Sequence, residues 1–343
     1  MKKIKNIHIY KSGFWIFFSF SILMLTLNFT SKDEGSEFDI DSEEGLMITE
    51  RDVTPEFESR ETRVEMRVLA IKVPDELYFA GERVPLEIFD VRERLDRELL
   101  VNTYWHSNTL QLMKLANRYF PTIEFILHQH GMPDDFKYLA LVESGFRHDV
   151  SPRGAAGYWQ FLAPTAKEFG LEVNDDIDER YHLEKSTVAA INYLKDAYKR
   201  FDSWTMATAS YNIGMARLSR IAENQKADSY YDLFLNQETA RYVFRILALK
   251  EIFNNPETYG FFLSPDDLYQ PLKYETIKVE TSVSNLAEFA QKHNTNYKTI
   301  KLLNPWIRGN EIKNTKGNSY FVKMPLKEEM KKADSDIYIE ETD

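Results

Sequence analysis

Residues 139–170 read LALVESGFRHDVSPRGAAGYWQFLAPTAKEFG, and this stretch indicates both the fold and the place of the chemistry. Its first part predicts one helix face, on which residues stand at i, i+3, i+4 and i+7: Phe136, Leu139, Ala140 and Glu143. The first three are apolar, so we expect this face to be buried. Glu143 then stands where a core residue is expected.

A carboxyl group on a buried helix face loses water, which disfavours its charged form and raises its pKa. Glu143 would then keep its proton near neutral pH and serve as a general acid. The helix is expected to end at Ser144 and Gly145, and a loop rich in glycine and aromatic residues follows. A proton donor beside such a loop indicates a carbohydrate cleft. The competing interpretation is a solvated glutamate in the last turn of a surface helix.

Five sequence blocks occur in one order along the middle of the chain: ESGF, SPRGAAGYWQF, APTA, SYNIG at 210–214 and ETARYV at 238–243. Together they resemble the lytic transglycosylase family of peptidoglycan-cleaving enzymes. The resemblance implies a mainly α fold, with an all-α catalytic domain like that of goose-type lysozyme. Five blocks in the right order are far more specific than any one of them.

The resemblance also implies a mechanism. Glu143 would be the single general acid/base that cleaves the β-1,4 bond between N-acetylmuramic acid and N-acetylglucosamine. The substrate supplies the nucleophile, the C6 hydroxyl of N-acetylmuramic acid, so the product ends in a 1,6-anhydro sugar and no water is consumed. No cofactor is implied, and the expected partner is the peptidoglycan glycan strand.

The family motif carries over to seven substrate-binding residues: Ser144, Gly157, Tyr158, Gln160, Tyr211, Asn212 and Tyr242. Ser144 is expected to bond the carboxylate or the sugar. Gly157, like Gly154 before it, is expected to allow close approach of a glycan. Tyr158 replaces the leucine that is usual before the tryptophan, and His148 replaces a usual proline. Both departures affect the shape of the subsites more than the chemistry.

The remaining roles concern amides and aromatic rings. Gln160 and Asn212 would offer amides to the sugar, Tyr211 a phenol near Glu143, and Tyr242 a side chain that lines the site. Tyr158 or Trp159 would cover a sugar face. Taken singly, such residues have structural roles more often than functional ones, and it is the motif that favours the cleft.

Ordinary glycoside hydrolysis uses a second carboxylate as nucleophile or as base for a water. Asp149 is the nearby candidate in the loop, and its competing interpretation is a solvated charge. Two alternatives therefore stay open: a goose-type lysozyme that hydrolyses the bond, and a non-catalytic peptidoglycan-binding protein that retains the cleft.

Residues 273–326 change character and read as strand, helix, helix and strand. This order and the LLNP turn resemble a LysM peptidoglycan-binding repeat, although Glu280-Thr281-Ser282 stands where glycine, aspartate and threonine are usual. We therefore expect a small α+β LysM-like domain. It would either bind glycan or only dock against the catalytic domain.

The helical pattern predicts the all-α domain over residues 73–265, with its catalytic core at about 110–255. Asp90 is expected to cap the first helix, with Glu93 in capping-box spacing. A helix break is expected at Pro121. Ser186 and Ser284 are expected to cap two later helices.

The chain ends are different in character. Residues 1–30 carry a basic start and an apolar run, which predicts a signal peptide or an uncleaved signal anchor. Residues 31–72 form an acidic tether, and residues 327–343 a charged tail. Export to the periplasm or cell envelope follows, with anchoring in the membrane if the signal is not cleaved.

Composition excludes several functions. The net charge of −11 argues against nucleic acid, whose binding needs Lys and Arg to neutralise phosphates. With no Cys, disulfides and thiolate catalysis are excluded. His128 and His130 are two residues apart on a predicted helix and face different directions, so no metal site is expected. Nothing in the sequence predicts an oligomeric state.

Overall fold

The computed structural model describes residues 70–315 and 317–326. The predictions of a signal, of most of the acidic tether and of a charged tail fall on residues 1–69 and 327–343, outside the described residues. The described part is mainly α, as predicted, with ten α-helices and four short strands. None of these helices is long and apolar enough to cross a membrane.

A small hairpin precedes the helices and was not predicted. Strands β1 (Tyr78–Phe79) and β2 (Glu82–Arg83) pair antiparallel. The backbone N–H of Ala80, in the turn between them, donates to Oδ2 of Asp135 at 2.6 Å, and Lys250 reaches the same oxygen at 2.6 Å. The hairpin thereby holds the start of the helix that carries Glu143.

Eight helices build the region that contains the five sequence blocks: α1 (Phe89–Tyr104), α2 (His106–Gln129), α3 (Phe136–Ser144), α4 (Ala163–Glu168), α5 (Leu183–Phe201), α6 (Trp204–Ile213), α7 (Met215–Gln225) and α8 (Gln237–Asn254). Helix α8 packs against α1, α3 and α6, and its Val243, Phe244 and Leu247 have no exposed surface. The last helix of this region is therefore central and buried. Helix α7 was not predicted.

Two predictions near the start of this region are wrong. Helix α2 continues through Pro121, because Phe120, Ile123 and Leu127 form a continuous buried face whose packing outweighs the one backbone hydrogen bond that proline removes. Asp90 does not cap α1, which begins at Phe89 after Ile88 without a side-chain cap. It lies in the first turn instead.

Two predicted serine caps are also wrong. Ser186 lies inside α5, where its hydroxyl donates to the carbonyl of Leu183 at 3.2 Å. The capping side chain is His182, since burial of Leu183 extends the helix toward the N-terminus. The helix that follows Ser284 is capped by Asn285 instead, whose Oδ1 accepts hydrogen bonds from the backbone N–H groups of Ala287 and Glu288.

The LysM-like region has the predicted element order. It consists of β3 (Tyr274–Val279), α9 (Leu286–Lys292), α10 (Tyr297–Leu303) and β4 (Tyr320–Pro325). Strands β3 and β4 pair antiparallel, with Tyr274 opposite Pro325. The strand–helix–helix–strand prediction is confirmed.

The LysM-like region shares its core with the helical region. One hydrophobic cluster joins Ile300, Ile307 and Trp306 to residues that precede α5 in the chain: Ala156, Ile177 and Tyr181. Backbone bonds tie the same surfaces, since the carbonyl of Asp176 accepts from the N–H groups of Arg308 and Gly309 at 2.7 and 3.1 Å. The LysM-like region therefore completes its core only when it is docked.

Replacing Gly309 with alanine should loosen this contact. The added Cβ would lie 2.6 Å from Asp176 Oδ1, so one side must move. We expect trypsin to cleave at Lys273 about fivefold faster in Gly309→Ala than in the wild type, the effect of roughly 1 kcal/mol on local opening. Gln291→Ala is the control, because this side chain is exposed on the helix of residues 286–292. Equal cleavage rates in all three proteins would contradict the shared core.

Candidate active site

Glu143 lies in the last turn of α3, as predicted. Phe136, Leu139 and Ala140 of the same face have no exposed surface, while Glu143 itself is partly exposed. The helix ends where Gly145 takes a left-handed conformation with φ of 54°, which glycine adopts without strain. The carboxyl group is thus held by a rigid helix end at the edge of the core.

The surroundings of Glu143 change its proton affinity. Burial raises its pKa to about 7 from an ordinary value of 4.5. A hydrogen bond from the hydroxyl of Tyr242 to Oε1 acts in the opposite direction, and so does the positive charge of Arg245. The negative charge of Glu238 raises the pKa slightly further. The effect of burial on the pKa is larger than the opposing effects, so the carboxyl group is half protonated near neutral pH.

The three groups that act on Glu143 come from one face of α8. Glu238, Tyr242 and Arg245 stand at i, i+4 and i+7, the spacing of residues that share a helix side. Tyr242 is only 2% exposed, and burial beside Glu143 raises the pKa of its phenol well above the ordinary value. It therefore stays a hydrogen-bond donor at every physiological pH.

Ser144 joins α3 to the loop that follows. Its hydroxyl donates to the carbonyl of Tyr158 at 2.8 Å and accepts from the backbone N–H of Phe146 at 3.0 Å. It lies beside Glu143 in sequence, but its hydrogen bonds go to the loop and to the carbonyl of Ala140. A role in binding the sugar stays a prediction.

Tyr211 reaches the surroundings of Glu143 from the end of α6, and Asn212 is the next residue of that helix. The Tyr211 hydroxyl donates to the carbonyl of Trp159 at 2.8 Å, and the charge of Glu143 adds to the burial that raises the pKa of this phenol. Asn212 accepts a bond from the hydroxyl of Thr239 at 2.8 Å through its amide oxygen, and its contact with substrate stays a prediction.

The loop from Gly154 to Phe161 is a tight turn closed by a bridge between Ala156 and Phe161. Gln160 has a positive φ of 48°, and its amide donates to the carbonyls of Gly157 and Asp149 at 3.1 and 3.2 Å. The amide predicted to bind sugar therefore holds the loop in shape. Its contact with substrate stays a prediction.

The loop points its two aromatic rings inward. Trp159 has no exposed surface and its Nε1 donates to Thr187 at 3.0 Å, so the prediction that it covers a sugar face is wrong. Tyr158 is 5% exposed and packs against Tyr119 and Phe146. The tight turn makes these rings part of the core, a consequence that the motif alone does not reveal.

Gly157 approaches protein backbone rather than open space. Its φ is +81°, and an added Cβ would lie 1.9 Å from the carbonyl oxygen of Arg180. That carbonyl also accepts the backbone N–H of Tyr158 at 3.3 Å. The close approach expected for a glycan is thus made, at this glycine, by the chain segment before α5.

Arg180 is a residue that sequence reasoning missed. Its guanidinium donates to the carbonyls of Gly154 and Phe161 at 2.8 and 3.0 Å, at both ends of the turn. Asp178 holds it with a 2.7 Å ion pair, and the backbone N–H of Asp178 donates to Trp306 in the LysM-like region. No motif marks this pair, because its role depends on contacts between distant segments.

Two alanine substitutions should separate strain from close packing in this loop. Gly154→Ala meets no atom within 4 Å and should cost about 1–2 kcal/mol from its positive φ alone. Gly157→Ala has the same strain and also collides with Arg180, so we expect a further loss of roughly 1–3 kcal/mol. Urea unfolding measures both, and equal losses would show that the loop does not pack on Arg180.

Glu143→Gln should change the pH dependence of stability. The carboxyl group titrates near 4.5 when unfolded and near 7 when folded, so the wild type loses stability as the pH rises through this range. Glutamine carries no such penalty. Since Glu143 is partly exposed, we expect the variant to gain about 1–3 kcal/mol on the wild type between pH 4 and pH 8. Urea unfolding at both pH values tests this, with the exposed Glu223→Gln of α7 as the control.

Two models of known protein families match this chain, one over the helical region and one over the LysM-like region. Residues 123–234 match the family model described as transglycosylase SLT domain. Residues 275–328 match the model described as soluble lytic transglycosylase C-terminal LysM-like domain. The predicted resemblance is confirmed, since the chain carries both domains. The first match includes Glu143, and Tyr242 lies beyond its end.

Two curated relatives agree with these matches. Membrane-bound lytic murein transglycosylase D of Escherichia coli K12 is 29% identical over 243 residues, which are 68% of this chain and 52% of the relative. A putative tributyltin chloride resistance protein of an Alteromonas species is 32% identical over 113 residues, 32% of this chain and 55% of the relative. The chain thus spans about half the length of the curated relatives it matches.

Proposed function

We propose that this chain, which carries an SLT domain and a LysM-like domain, is a peptidoglycan lytic transglycosylase. It cleaves the β-1,4 bond between N-acetylmuramic acid and N-acetylglucosamine without water. The observation that carries the proposal is the carboxyl group of Glu143, whose pKa burial raises to about 7 within the SLT match. The name of the Escherichia coli relative supports the substrate class.

Glu143 acts twice in the proposed reaction. In its protonated form it donates the proton to the glycosidic oxygen, and the bond from that oxygen to C1 of N-acetylmuramic acid breaks. The resulting carboxylate then accepts the proton of the C6 hydroxyl, whose oxygen forms a bond to C1. One strand leaves with a new hydroxyl, the other ends in a 1,6-anhydro ring, and Glu143 is protonated again.

The surroundings of Glu143 suit both steps. A group that donates and then accepts a proton works best when its pKa is near the working pH. Burial favours the acid for the first step, while the hydrogen bond from Tyr242 stabilises the carboxylate for the second. Attack by a hydroxyl of the same sugar can have an effective molarity of roughly 10⁵–10⁸ M, so no second carboxylate is needed.

One observation favours the hydrolytic alternative. Glu238 is exposed on the α8 face that points to Glu143, and its charge acts on that carboxyl group. A water bound by Glu238 could attack C1, as in a goose-type lysozyme. Asp149, the candidate from sequence, lies in the exposed part of the loop. Glu238 is therefore the better second carboxylate to test.

Digestion of purified sacculi in ¹⁸O-labelled water separates the two reactions. We expect unlabelled 1,6-anhydro ends, a loss of about 10²–10⁴ in rate for Glu143→Gln, and the same product from Glu238→Gln. A labelled reducing end that disappears in Glu238→Gln would establish hydrolysis. Absence of any cleavage by the wild type would favour a non-catalytic wall-binding protein.

The LysM-like domain supplies the second part of the proposed function. A surface cavity of about 500 Å³ in this domain is lined by Asn285, Tyr297 and Asn310, and the Tyr297 hydroxyl donates to Asn310 at 2.7 Å. Polar side chains beside an exposed tyrosine suit a sugar. Together with the predicted export signal and the name of the relative, this supports a place in the cell envelope, at the wall.

Retention on sacculi tests glycan binding by this domain. Because the domain shares its core with the helical region, the full chain is used, with Glu143→Gln to prevent cleavage. Adding Tyr297→Ala should lower retention about tenfold, the effect of losing roughly 1.4 kcal/mol. Tyr297→Phe keeps the ring and should lose less. Unchanged retention in Tyr297→Ala would contradict glycan binding at this cavity and would favour a domain that only docks against the helical region.

A further inference from the structure

Arg245 is a charged residue near the candidate site that takes no part in the two proposed proton transfers. It stands one turn after Tyr242 on α8, and the hydroxyl of Tyr242 donates to Glu143. The positive charge of Arg245 acts on the carboxyl group of Glu143 and on the phenol of Tyr242. Arg245 therefore lies close to the place where the proposed reaction cleaves the glycosidic bond.

No protein group satisfies the guanidinium of Arg245. Arg241, one turn earlier on the same helix, forms a 2.6 Å ion pair with Glu98. Within residues 70–315 and 317–326, Arg245 has no carboxylate at ion-pair distance, and its guanidinium forms no hydrogen bond. A half-buried cation without a partner reduces stability, and such departures are found mainly at functional sites. A ligand that supplies the missing partner explains why the cation is there.

The terminal fork is the part of this guanidinium that a ligand reaches. Nε is the nitrogen of Arg245 that is buried without a partner, and the side chain as a whole is partly exposed. The two terminal nitrogens therefore carry the open donor positions. Their N–H bonds lie in one plane, and this geometry matches the two oxygens of a carboxylate.

The charge and the position of Arg245 select one group of the substrate. The hydroxyl and acetamido groups of both sugars are neutral and need no cation. The lactyl group on C3 of N-acetylmuramic acid ends in a carboxyl group, which is negative when free and a neutral amide when it carries a peptide. Only C2 separates C3 from C1, where the bond breaks. A lactyl carboxylate is thus within reach of a cation that lies near Glu143 without touching it.

We propose that Arg245 binds the free lactyl carboxylate of N-acetylmuramic acid, and that the site prefers glycan strands without stem peptides. This rests on the proposed function, which places C1 of that sugar beside Glu143. It also sets an order of reactions. An amidase must first hydrolyse the bond between the lactyl carboxyl group and the peptide, which consumes one water and releases the peptide amine.

Glu238 does not prevent this contact. It is exposed and lies seven residues before Arg245, about 10 Å along the helix. Solvent and salt screen the charge of an exposed carboxylate over such a distance. Arg245 offers charge-assisted hydrogen bonds at contact, so its attraction for a lactyl carboxylate exceeds the repulsion from Glu238.

Binding of a small sugar tests the contact without any cleavage. One probe is the disaccharide N-acetylglucosaminyl-β-1,4-N-acetylmuramic acid, which lacks the bond that the proposed reaction cleaves. The other is its methylamide, in which the lactyl group is neutral. In an NMR titration of the full chain at pH 7, we expect the free acid to bind at least about tenfold more tightly than the methylamide. Equal affinities, or no binding of either sugar, would overturn the proposal.

Three substitutions show whether Arg245 is the residue responsible. Arg245→Gln should bind the acid as weakly as the methylamide, and its affinity for the methylamide should equal that of the wild type. Arg245→Lys keeps the charge without the fork and should keep part of the preference. Arg220→Gln, on the exposed side of α7, is the matched control and should bind as the wild type does. If Arg245→Gln weakens both sugars equally, Arg245 only supports the fold, and the proposal is wrong.

Cleavage of uncrosslinked strands keeps this test apart from the proposed function. The wild type should release 1,6-anhydro ends faster from strands without stem peptides than from strands that carry them, and Arg245→Gln should lose this preference. A wild type that cleaves both strands equally and binds both disaccharides alike refutes only the role of Arg245. A wild type that binds the free acid more tightly but cleaves nothing refutes only the proposed activity.

Discussion

The contact between Glu143 of α3 and Tyr242 of α8 is the interaction on which the candidate site depends. Burial of the helix face raises the pKa of the Glu143 carboxyl group. The hydrogen bond from the Tyr242 hydroxyl stabilises the carboxylate of Glu143 and so offsets part of this effect. Both effects need α3 and α8 to pack closely. The central position of α8 against α1, α3 and α6 thus gives Glu143 the pKa that the two proposed proton transfers need.

The loop after α3 depends on contacts from both domains. Ser144 and Tyr211 hold the loop from one side, since their hydroxyls donate hydrogen bonds to the carbonyls of Tyr158 and Trp159. Arg180 holds its ends from the other side, and Asp178 links Arg180 to the LysM-like region. The LysM-like domain therefore supports the loop beside Glu143.

The sequence predicts a large part of this arrangement. Helical spacing predicts that Glu143 lies on a buried face, and the family motif predicts that Tyr211 and Tyr242 lie near it. Both predictions depend on local periodicity and short sequence blocks, which can be read directly from the sequence. The break predicted at Pro121 is wrong because tertiary packing outweighs one lost hydrogen bond. The sequence did not predict the burial of Trp159 or the role of Arg180 for a related reason. Each depends on contacts between segments that are distant in the sequence and that only the fold brings together.

The pKa of Glu143 tests the central claim most directly. Carbon-13 NMR with labelled glutamate can follow this carboxyl group through a titration, and Glu143→Gln identifies its resonance. We expect a midpoint about 7 in the wild type and a higher midpoint in Tyr242→Phe, because that variant loses the bond that favours the carboxylate. A wild-type midpoint near 4.5, unchanged in Tyr242→Phe, would contradict the account.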